Sequence, residues 1–591
     1  MSTRPRRPVR VANCSGFYGD RMSALAEVVR GGEIDVVTGD YLAEVTMLVL
    51  AKGRMKDPDA GYAVSFLMQV EPVLGEIAER GIKVVVNAGG LNPSALAEQT
   101  RALVESKGLD LTVAHITGDD LTPQISDLEA AGHKFPNLDT GEPLSTWGAD
   151  PLTANAYLGG WGVVAALRGG ADIVICGRVT DASVVVGAAA WWHDWAVDSW
   201  NELAGAVVAG HIIECGTQAT GGNLSGFAKI EDLWNLGFPL AEIHANGDSV
   251  ITKHPDTGGA VTTDTCTAQL VYEIQGVDYL NPDVTTQLDS FNLSQVDIDR
   301  VKVAGVVGTP PPPTTKVSIT GLGGHNNSAT FALTGLDIEA KADLVRRTLE
   351  RRFADDDGVD ELLFDLIGNP DDNPATQAAG TTLLRVGIRG AEASVGRPFF
   401  SALVELALSS YPGLYLMGSD ARRASSYGVY WPAIISQDVL DHRAVFADGT
   451  SEQAAEVPTE ELSVRSGEQY SGDSPRDWGP CVPAPLGAIA DARSGDKGGN
   501  ANVGIWVKDD NAYEWLRQFL TVERLQSLIP EASGLTVDRF ELANLRALNF
   551  VVRGLLDGGA TETMRLDGQA KALGEYVRSK HVDIPRVLLV S

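Results

Sequence analysis

The sequence predicts an α/β protein: a large amino-terminal α/β domain with a mostly parallel sheet, followed by a small α+β domain at the carboxy terminus. Three observations carry this. Over the first 190 residues, short β-branched runs alternate with amphipathic stretches, the pattern of βα units around a parallel sheet. Around residue 470 the composition turns to Ser, Gly, Asp and Pro with little apolar content, the mark of an exposed connection. Beyond it the chain resumes a dense strand and helix pattern of its own.

Strands are predicted at 9–13, 34–37, 83–87, 111–116 and 171–176, each rich in Val, Ile or Leu. A polar or glycine-containing turn follows each, and then a helix start for which Asp20, Asp40, Asn92 ahead of Pro93, and Asp181 are suitable N-caps. In an open parallel sheet the loops at the strands' carboxyl ends line the ligand crevice. Asp40, Asn87, Gly89, Gly90, Asp119, Asp120, Arg178 and Asp181 are therefore expected to be neighbours. Residues 200–215 read as a helix and 216–223 as a loop of small residues. Strands are then expected at 241–243, 249–252, 268–273 and 301–307, and the stiff run from Pro310 to Pro313 places a subdivision near 310. A helix is expected at 338–351, a solvated turn at 355–357, and core elements at 383–388 and 403–408.

These readings assign 1–465 to the large domain, 466–483 to a linker and 484–591 to the last domain. There, strands at 486–491, 502–507, 540–542, 548–555 and 587–590 with helices at 513–519, 522–528 and 568–579 fit a small sandwich of ferredoxin-like type.

The balance of 47 Lys and Arg against 78 Asp and Glu leaves a net charge of -31, which repels phosphate backbones and anionic headgroups, so no nucleic acid or membrane partner is expected. A hydrophobic share of 44% in 591 residues is ample for packed cores. Five widely spaced cysteines without a CxxC pair do not make a disulfide framework and suit a reduced compartment. The basic start of the chain is followed by no apolar h-region, and no run of about 18 apolar residues occurs. A soluble, cytoplasmic protein is expected.

Several segments carry chemistry. His211, Glu214 and Cys215 stand at i, i+3 and i+4, so one helical face would present them together. His211 and Glu214 are either an acid–base or ligand pair or simply a helix end; Cys215, at a helix carboxyl end, is poorly placed to form a thiolate. Arg178 would hold a carboxylate or phosphate in a bidentate grip, or else pair with Asp181 and fix its turn. Asp181 is a further candidate for moving protons. Asp40, Asp119 and Asp120 would offer several oxygens to a divalent cation, the one cofactor the sequence suggests, while Asp120 also suits a cap. The turn at 87–93, with Asn87, Gly89 and Gly90, presents amides near a helix start, a cradle for an oxyanion or phosphate. Between two carboxy-terminal strands, Arg493, Lys497 and Asn500 lie in a stretch of charge and glycine that reads as a site-facing loop contacting anions, or as a salt-bridged turn or interdomain latch. His254 beside Lys253 and Asp256, and the aromatic run at 191–195, are weaker candidates for a site and a hydrophobic acyl pocket.

Six motifs in order resemble the acyclic terpene utilisation AtuA family: Gly39-Asp40-Tyr41-Leu42-Ala43-Glu44, Val86-Asn87-Ala88-Gly89-Gly90-Leu91-Asn92-Pro93, Ile175-Cys176-Gly177-Arg178-Val179-Thr180-Asp181-Ala182-Ser183, Gly210-His211-Ile212-Ile213-Glu214-Cys215-Gly216, Ile251-Thr252-Lys253-His254-Pro255 and Arg493-Ser494-Gly495-Asp496-Lys497-Gly498-Gly499. The resemblance spans nearly the whole chain and implies a large α/β domain followed by a ferredoxin-like one. It also implies a pathway, the degradation of citronellol- and geraniol-type terpenes through CoA thioesters.

From residues and resemblance together, the expected function is an enzyme of branched-chain or isoprenoid acid catabolism. It would act on an acyl-CoA thioester or its carboxylate by hydration, hydrolysis or carbon–carbon cleavage. Arg178, Arg493 and Lys497 would bind anionic groups, Asn87 with the Gly89 and Gly90 amides would polarise a carbonyl, and His211 with Glu214, or Asp181, would move protons. A divalent-metal enzyme of small carboxylates, and a non-catalytic subunit partnering an acyl-CoA carboxylase, are the alternatives. A homo-oligomer is expected.

Overall fold

The computed structural model of the protein describes residues 7–418, 421–467 and 476–589. The chain forms two compact units. One comprises the residues up to Thr320, Tyr430–Ala560 and those from Asp567 onward; the other comprises Gly321–Val429 and Thr561–Leu566. This division differs from the domain limits drawn from composition. Within the linker expected at 466–483, residues 468–475 lie outside the described residues.

The first unit is built on an eleven-stranded sheet. Its centre holds five parallel strands in the spatial order Val9–Asn13, Val36–Gly39, Lys83–Val86, Ile173–Ile175, Val113–Thr117. These are the five predicted βα strands, and their near-continuous burial is what a parallel sheet covered on both faces requires. The remaining strands are antiparallel, so the sheet is parallel only in part. Pro239–Ile243, Ser249–Lys253, Arg300–Ala304 and Asn292–Asp297 extend one side, and Arg443–Val445 with Ser451–Gln453 the other. Within the three hairpins 239–253, 292–304 and 443–453 the physical reason is connection length, because a short turn between sheet neighbours permits only antiparallel pairing. Gly247 at φ +80° serves the turn before Ser249, and Asp299 at φ +52° the one before Arg300.

Helices cover the sheet. Pro93–Ser106 starts as predicted, with the Asn92 side chain accepting from the Ala95 amide and Pro at its first turn. The helices Ser183–His193 and Trp200–Ile213 are apolar on nearly every side and accordingly buried. The other three expected caps do not cap. The helices begin after Ser23, Ala43 and Ala182, none with a side-chain cap, while Asp20 accepts from the Gly16 and Arg21 amides and Asp40 and Asp181 turn to other partners. The strand expected at 268–273 overlaps the helix Thr263–Leu270, fixed by a reciprocal capping box between Thr262 and Thr265.

Towards the carboxy terminus, Ala490–Lys497, Asn500–Val507, Ala547–Val552 and Val537–Leu542 form an antiparallel sheet in that spatial order, with helices Asp510–Phe519, Val522–Leu528 and Leu573–Ser579. The charged stretch read as a loop is itself a hairpin, closed by Gly498 at φ +61° and Gly499. The last strand is His581–Pro585, paired with Cys481–Pro485, rather than 587–590, whose last residue lies outside the described residues. Trp506, Phe540, Leu542 and Val551 join the helices Ser183–His193 and Trp200–Ile213 in one buried apolar core.

The second unit has its own antiparallel sheet, in which Thr381–Gly390 pairs with Val359–Ile367 and with the far half of Thr314–Thr334. Helices Ile338–Phe353 and Arg397–Ser409 close a core around Phe331, Leu349, Val386 and Phe399.

Candidate functional site

The loops at the carboxyl ends of the parallel strands converge as the topology requires, and they gather buried charge. Asn87, after Lys83–Val86, donates from Nδ2 to Asp40 Oδ1 at 2.5 Å and accepts the Tyr41 amide at 2.7 Å. It orients Asp40 and does not stand free to polarise a carbonyl. Arg178, 3% exposed, donates to Asp181 Oδ1 at 2.5 Å and to the Leu42 carbonyl at 3.2 Å, and its guanidinium lies 4.1 Å from the Tyr157 ring centroid. Its Nε has no partner among the described residues. Burial raises the Asp40 carboxyl well above its ordinary value and Asp181 adds to this, while Arg178 opposes it.

At the end of Trp200–Ile213, His211 Nδ1 meets Glu214 Oε1 at 3.0 Å, the pairing that the i, i+3 spacing predicted. The two residues are 2% and 7% exposed, yet the outer atoms, His211 Nε2 and Glu214 Oε2, have no partner among the described residues. The imidazole packs at 5.1 Å from the Tyr279 ring. Burial raises the Glu214 carboxyl, with Asp181 and Glu273 reinforcing and His211 opposing. Burial, Glu214 and Glu273 also push the Cys215 thiol well up, which rules against a thiolate at neutral pH.

Opposite stands a set of cations. Glu44 accepts from Lys316 Nζ at 3.1 Å, Tyr157 Oη at 3.3 Å and Tyr430 Oη at 3.4 Å. Burial alone would raise the Glu44 carboxyl, but Lys316, Lys497 and Arg178 hold it well below the usual range. The hairpin delivers Lys497, whose ammonium makes no hydrogen bond or ion pair among the described residues. Burial opposes its charge, yet the field of Glu273, Asp181 and Glu44 raises it above an ordinary lysine. Beside it, Lys571 donates to Tyr272 Oη at 2.5 Å and to Glu273 and Asp496 at 3.1 Å each.

Other predicted residues have structural partners. Arg493 donates to Gln218 Oε1 and, at 2.8 Å, to the Asn223 carbonyl, holding the small-residue loop at 216–223 against the hairpin, although its Nε is left unpartnered. Asn500 donates to Asp139 at 2.7 Å and accepts the Gly554 amide at 2.9 Å. The Gly89 and Gly90 amides are not a free cradle, because they donate to the Cys176 and Asn87 carbonyls. Gly89 is needed for closeness: a methyl there would meet Cys176 O at 2.5 Å. Asp119 accepts the Arg178 amide at 2.8 Å and Asn155 Nδ2 at 2.9 Å, which pins the Arg178 turn, and burial pushes its pKa up to about 6. Asp120 accepts the Thr122 amide at 3.0 Å and lies 3.9 Å from Arg54. Asp40, Asp119 and Asp120 thus serve different partners, and no group of three or more His, Cys, Asp or Glu suited to a metal ion occurs among the described residues. His254 packs on Gly31 and Gly32 with Nε2 2.9 Å from the Val28 carbonyl, and the Trp195 indole donates to the Ala245 carbonyl; neither joins the cluster.

Sequence reasoning did not single out Tyr157, Tyr272, Glu273, Tyr279, Lys316, Tyr430 or Lys571, and gave Glu44 and Asp496 no role although both stand in quoted motifs. The one local signal was Lys316, a lone cation in the β-branched start of Thr314–Thr334. The assembled site can bind an anion through Lys497, Lys316 and Arg178 and can move a proton at the His211–Glu214 pair. Among the described residues, no helix is long and apolar enough to cross a membrane.

Comparison with known proteins gives two matches. The model of the acyclic terpene utilisation family protein AtuA matches residues 9–446, and that of the AtuA ferredoxin-like domain matches residues 484–583. No curated protein and no solved structure matches the chain.

Proposed function

Because the chain belongs to the acyclic terpene utilisation AtuA family, we propose that it is an enzyme of branched-chain or isoprenoid acid catabolism, acting on an acyl-CoA thioester or its free carboxylate. The observation that carries this reading is the buried His211–Glu214 pair, whose outer nitrogen and oxygen have no partners among the described residues. Buried polar atoms are nearly always satisfied, so an exception calls for a reason, and a reacting group that bonds its substrate is one such reason. Glu214 fixes the imidazole through Nδ1 and leaves Nε2 as the atom that takes or returns a proton. Lys497, with no ion pair of its own, faces the substrate carboxylate or the oxygen of a thioester carbonyl. Lys316 and Arg178 add to the positive field and are themselves held by Glu44 and Asp181. Hydration, hydrolysis and carbon–carbon cleavage can each use a proton-moving group together with a cation facing developing negative charge.

The test is a thermal-shift and turnover panel with isoprenoid and branched-chain acyl-CoAs and the corresponding acids. A ligand at about 100 times its Kd adds roughly 2.7 kcal/mol to stability. Lys497→Ala is expected to abolish the shift, and His211→Asn to keep binding while losing turnover by roughly 100-fold or more. A cooperative melt that no thioester or acid displaces would sink the proposal.

A further inference from the structure

Bordering the charged cluster at Tyr157, the first unit contains a cavity of about 460 Å³, within the range of small-molecule sites. Its lining draws on the Tyr157–Trp161 segment, on Asp283 and on the chain from Ser436 to Thr459. Asp283, 1% exposed, accepts the Gly160 amide at 2.8 Å and lies beside Ser183 Oγ. Trp161 is 4% exposed, and its indole N–H has no acceptor among the described residues. His442 also leaves Nε2 unpartnered, and burial lowers its pKa to about 4, so it carries no charge at neutral pH. Asp438, Gln453 and Glu456 stand exposed around the cavity, and no Lys or Arg lines it.

This lining is selective. Three carboxylates in a lining without Lys or Arg disfavour an anion, which distinguishes the cavity from the cation-bearing cluster it borders. The buried indole N–H calls for an acceptor, while the carboxylates and Gln453 call largely for donors. A hydroxyl group is the simplest function that supplies both. The Trp161 ring provides an apolar face of the kind that a carbon skeleton rests on, with Leu158, Leu440 and Val457 adding apolar lining. We propose that this cavity is a second ligand site, for a neutral, hydroxyl-bearing small molecule of the polyol or sugar class. The inference does not depend on what the charged cluster binds.

Saturation-transfer NMR on the full chain with glycerol, myo-inositol and glucose tests this, with gluconate as the anionic control. At least one neutral polyol is expected to receive transfer and gluconate to receive little. Trp161→Phe keeps an aromatic ring but removes the donor, and is expected to weaken polyol binding by roughly tenfold. Glu456→Gln, at an exposed position, is expected to narrow the gap between glucose and gluconate; should the tryptophan variant melt early, this second variant carries the test. Absence of transfer to every polyol from folded protein would overturn the proposal. So would gluconate binding as well as glucose, or polyol binding that both variants leave unchanged.

Discussion

At Asp119, the same oxygen accepts the Arg178 amide and the Asn155 side chain, and burial holds the pKa at about 6. In the unfolded chain an aspartate titrates near 3.9. Between these values the native state binds the proton and the unfolded state does not, so stability falls as pH rises from about 4 to about 6 and stays reduced above. Asp119→Asn keeps an acceptor oxygen for both donors and removes the titration. We expect its denaturant-derived stability to lose part of that negative slope, on the order of 3 kcal/mol across the window as an upper bound. An unchanged slope would show that Asp119 titrates normally. Arg178 behaves differently, because its charge is matched by Asp181 and faces Asp40. Arg178→Met should cost at most about 3–5 kcal/mol by leaving the half-buried Asp181 carboxylate without its partner, and less when Asp181→Asn is already present. A double-mutant cycle in urea measures the difference. Much of the charged site was legible in the sequence, because Asp40, Asn87, Arg178 and Asp181 follow predicted strands and His211 and Glu214 share a helical face. Tyr157, Lys316 and Tyr430 were not, since they meet Glu44 from distant parts of the chain and no local period announces such a meeting. The Gly89 and Gly90 turn misled for a related reason: composition shows that amides exist, and only the fold shows that Cys176 and Asn87 already accept them.

Among the elements, the hairpin Ala490–Lys497 and Asn500–Val507 carries the largest burden, because its tip positions Lys497. Gly498 sits at φ +61°, where a β-carbon costs roughly 1–2 kcal/mol. Gly499 backs onto the Asp557 carbonyl, and a methyl there would collide with fixed backbone. Gly498→Ala should therefore cost about 1–2 kcal/mol, and Gly499→Ala should cost at least as much by overpacking, about 1–3 kcal/mol. Chemical denaturation ranks the two, and a neutral Gly499→Ala would mean that the tip relaxes away from Asp557. The parallel strands could be read from the sequence because burial on both faces writes a continuous β-branched run. Of the antiparallel flanks, Pro239–Ile243, Ser249–Lys253 and Arg300–Ala304 were read as strands but not as part of the same sheet, and Asn292–Asp297, Arg443–Val445 and Ser451–Gln453 were not read at all, since strand order is set by turns and long-range contacts. The strand expected at 268–273 failed where the Thr262–Thr265 capping box overrode β-branched content and closed a helix.

Across the whole molecule, the two spans matched by family models are not independent bodies. Residues 9–320 and 484–560 lie in one compact unit, and Trp506, Phe540, Leu542 and Val551 pack into the same apolar core as Val185, Ala204 and Val208. Polar contacts repeat the pattern: the Glu273 amide donates to Asn502 Oδ1 at 2.8 Å, and Ser225 Oγ donates to the Ala492 carbonyl at 2.7 Å. Severing the chain ahead of residue 484 would expose that core and remove Lys497, Asp496 and Lys571 from the site, leaving Glu273 without its cation. A protein ending at 483 should therefore be poorly soluble or molten, and co-expression with 484–591 as a separate chain should restore both solubility and ligand-induced stabilisation. Hydrogen exchange on the intact protein provides a second reading. Amides of Trp200–Ile213 and Asn500–Val507 are expected to open with the same free energy, because Trp506 and its neighbours Phe540 and Val551 tie that strand's sheet to the core that holds the helix. If the carboxy-terminal strands exchanged well before that helix, the shared core would be an association of two separately folding domains, and the truncated chain should then stand alone.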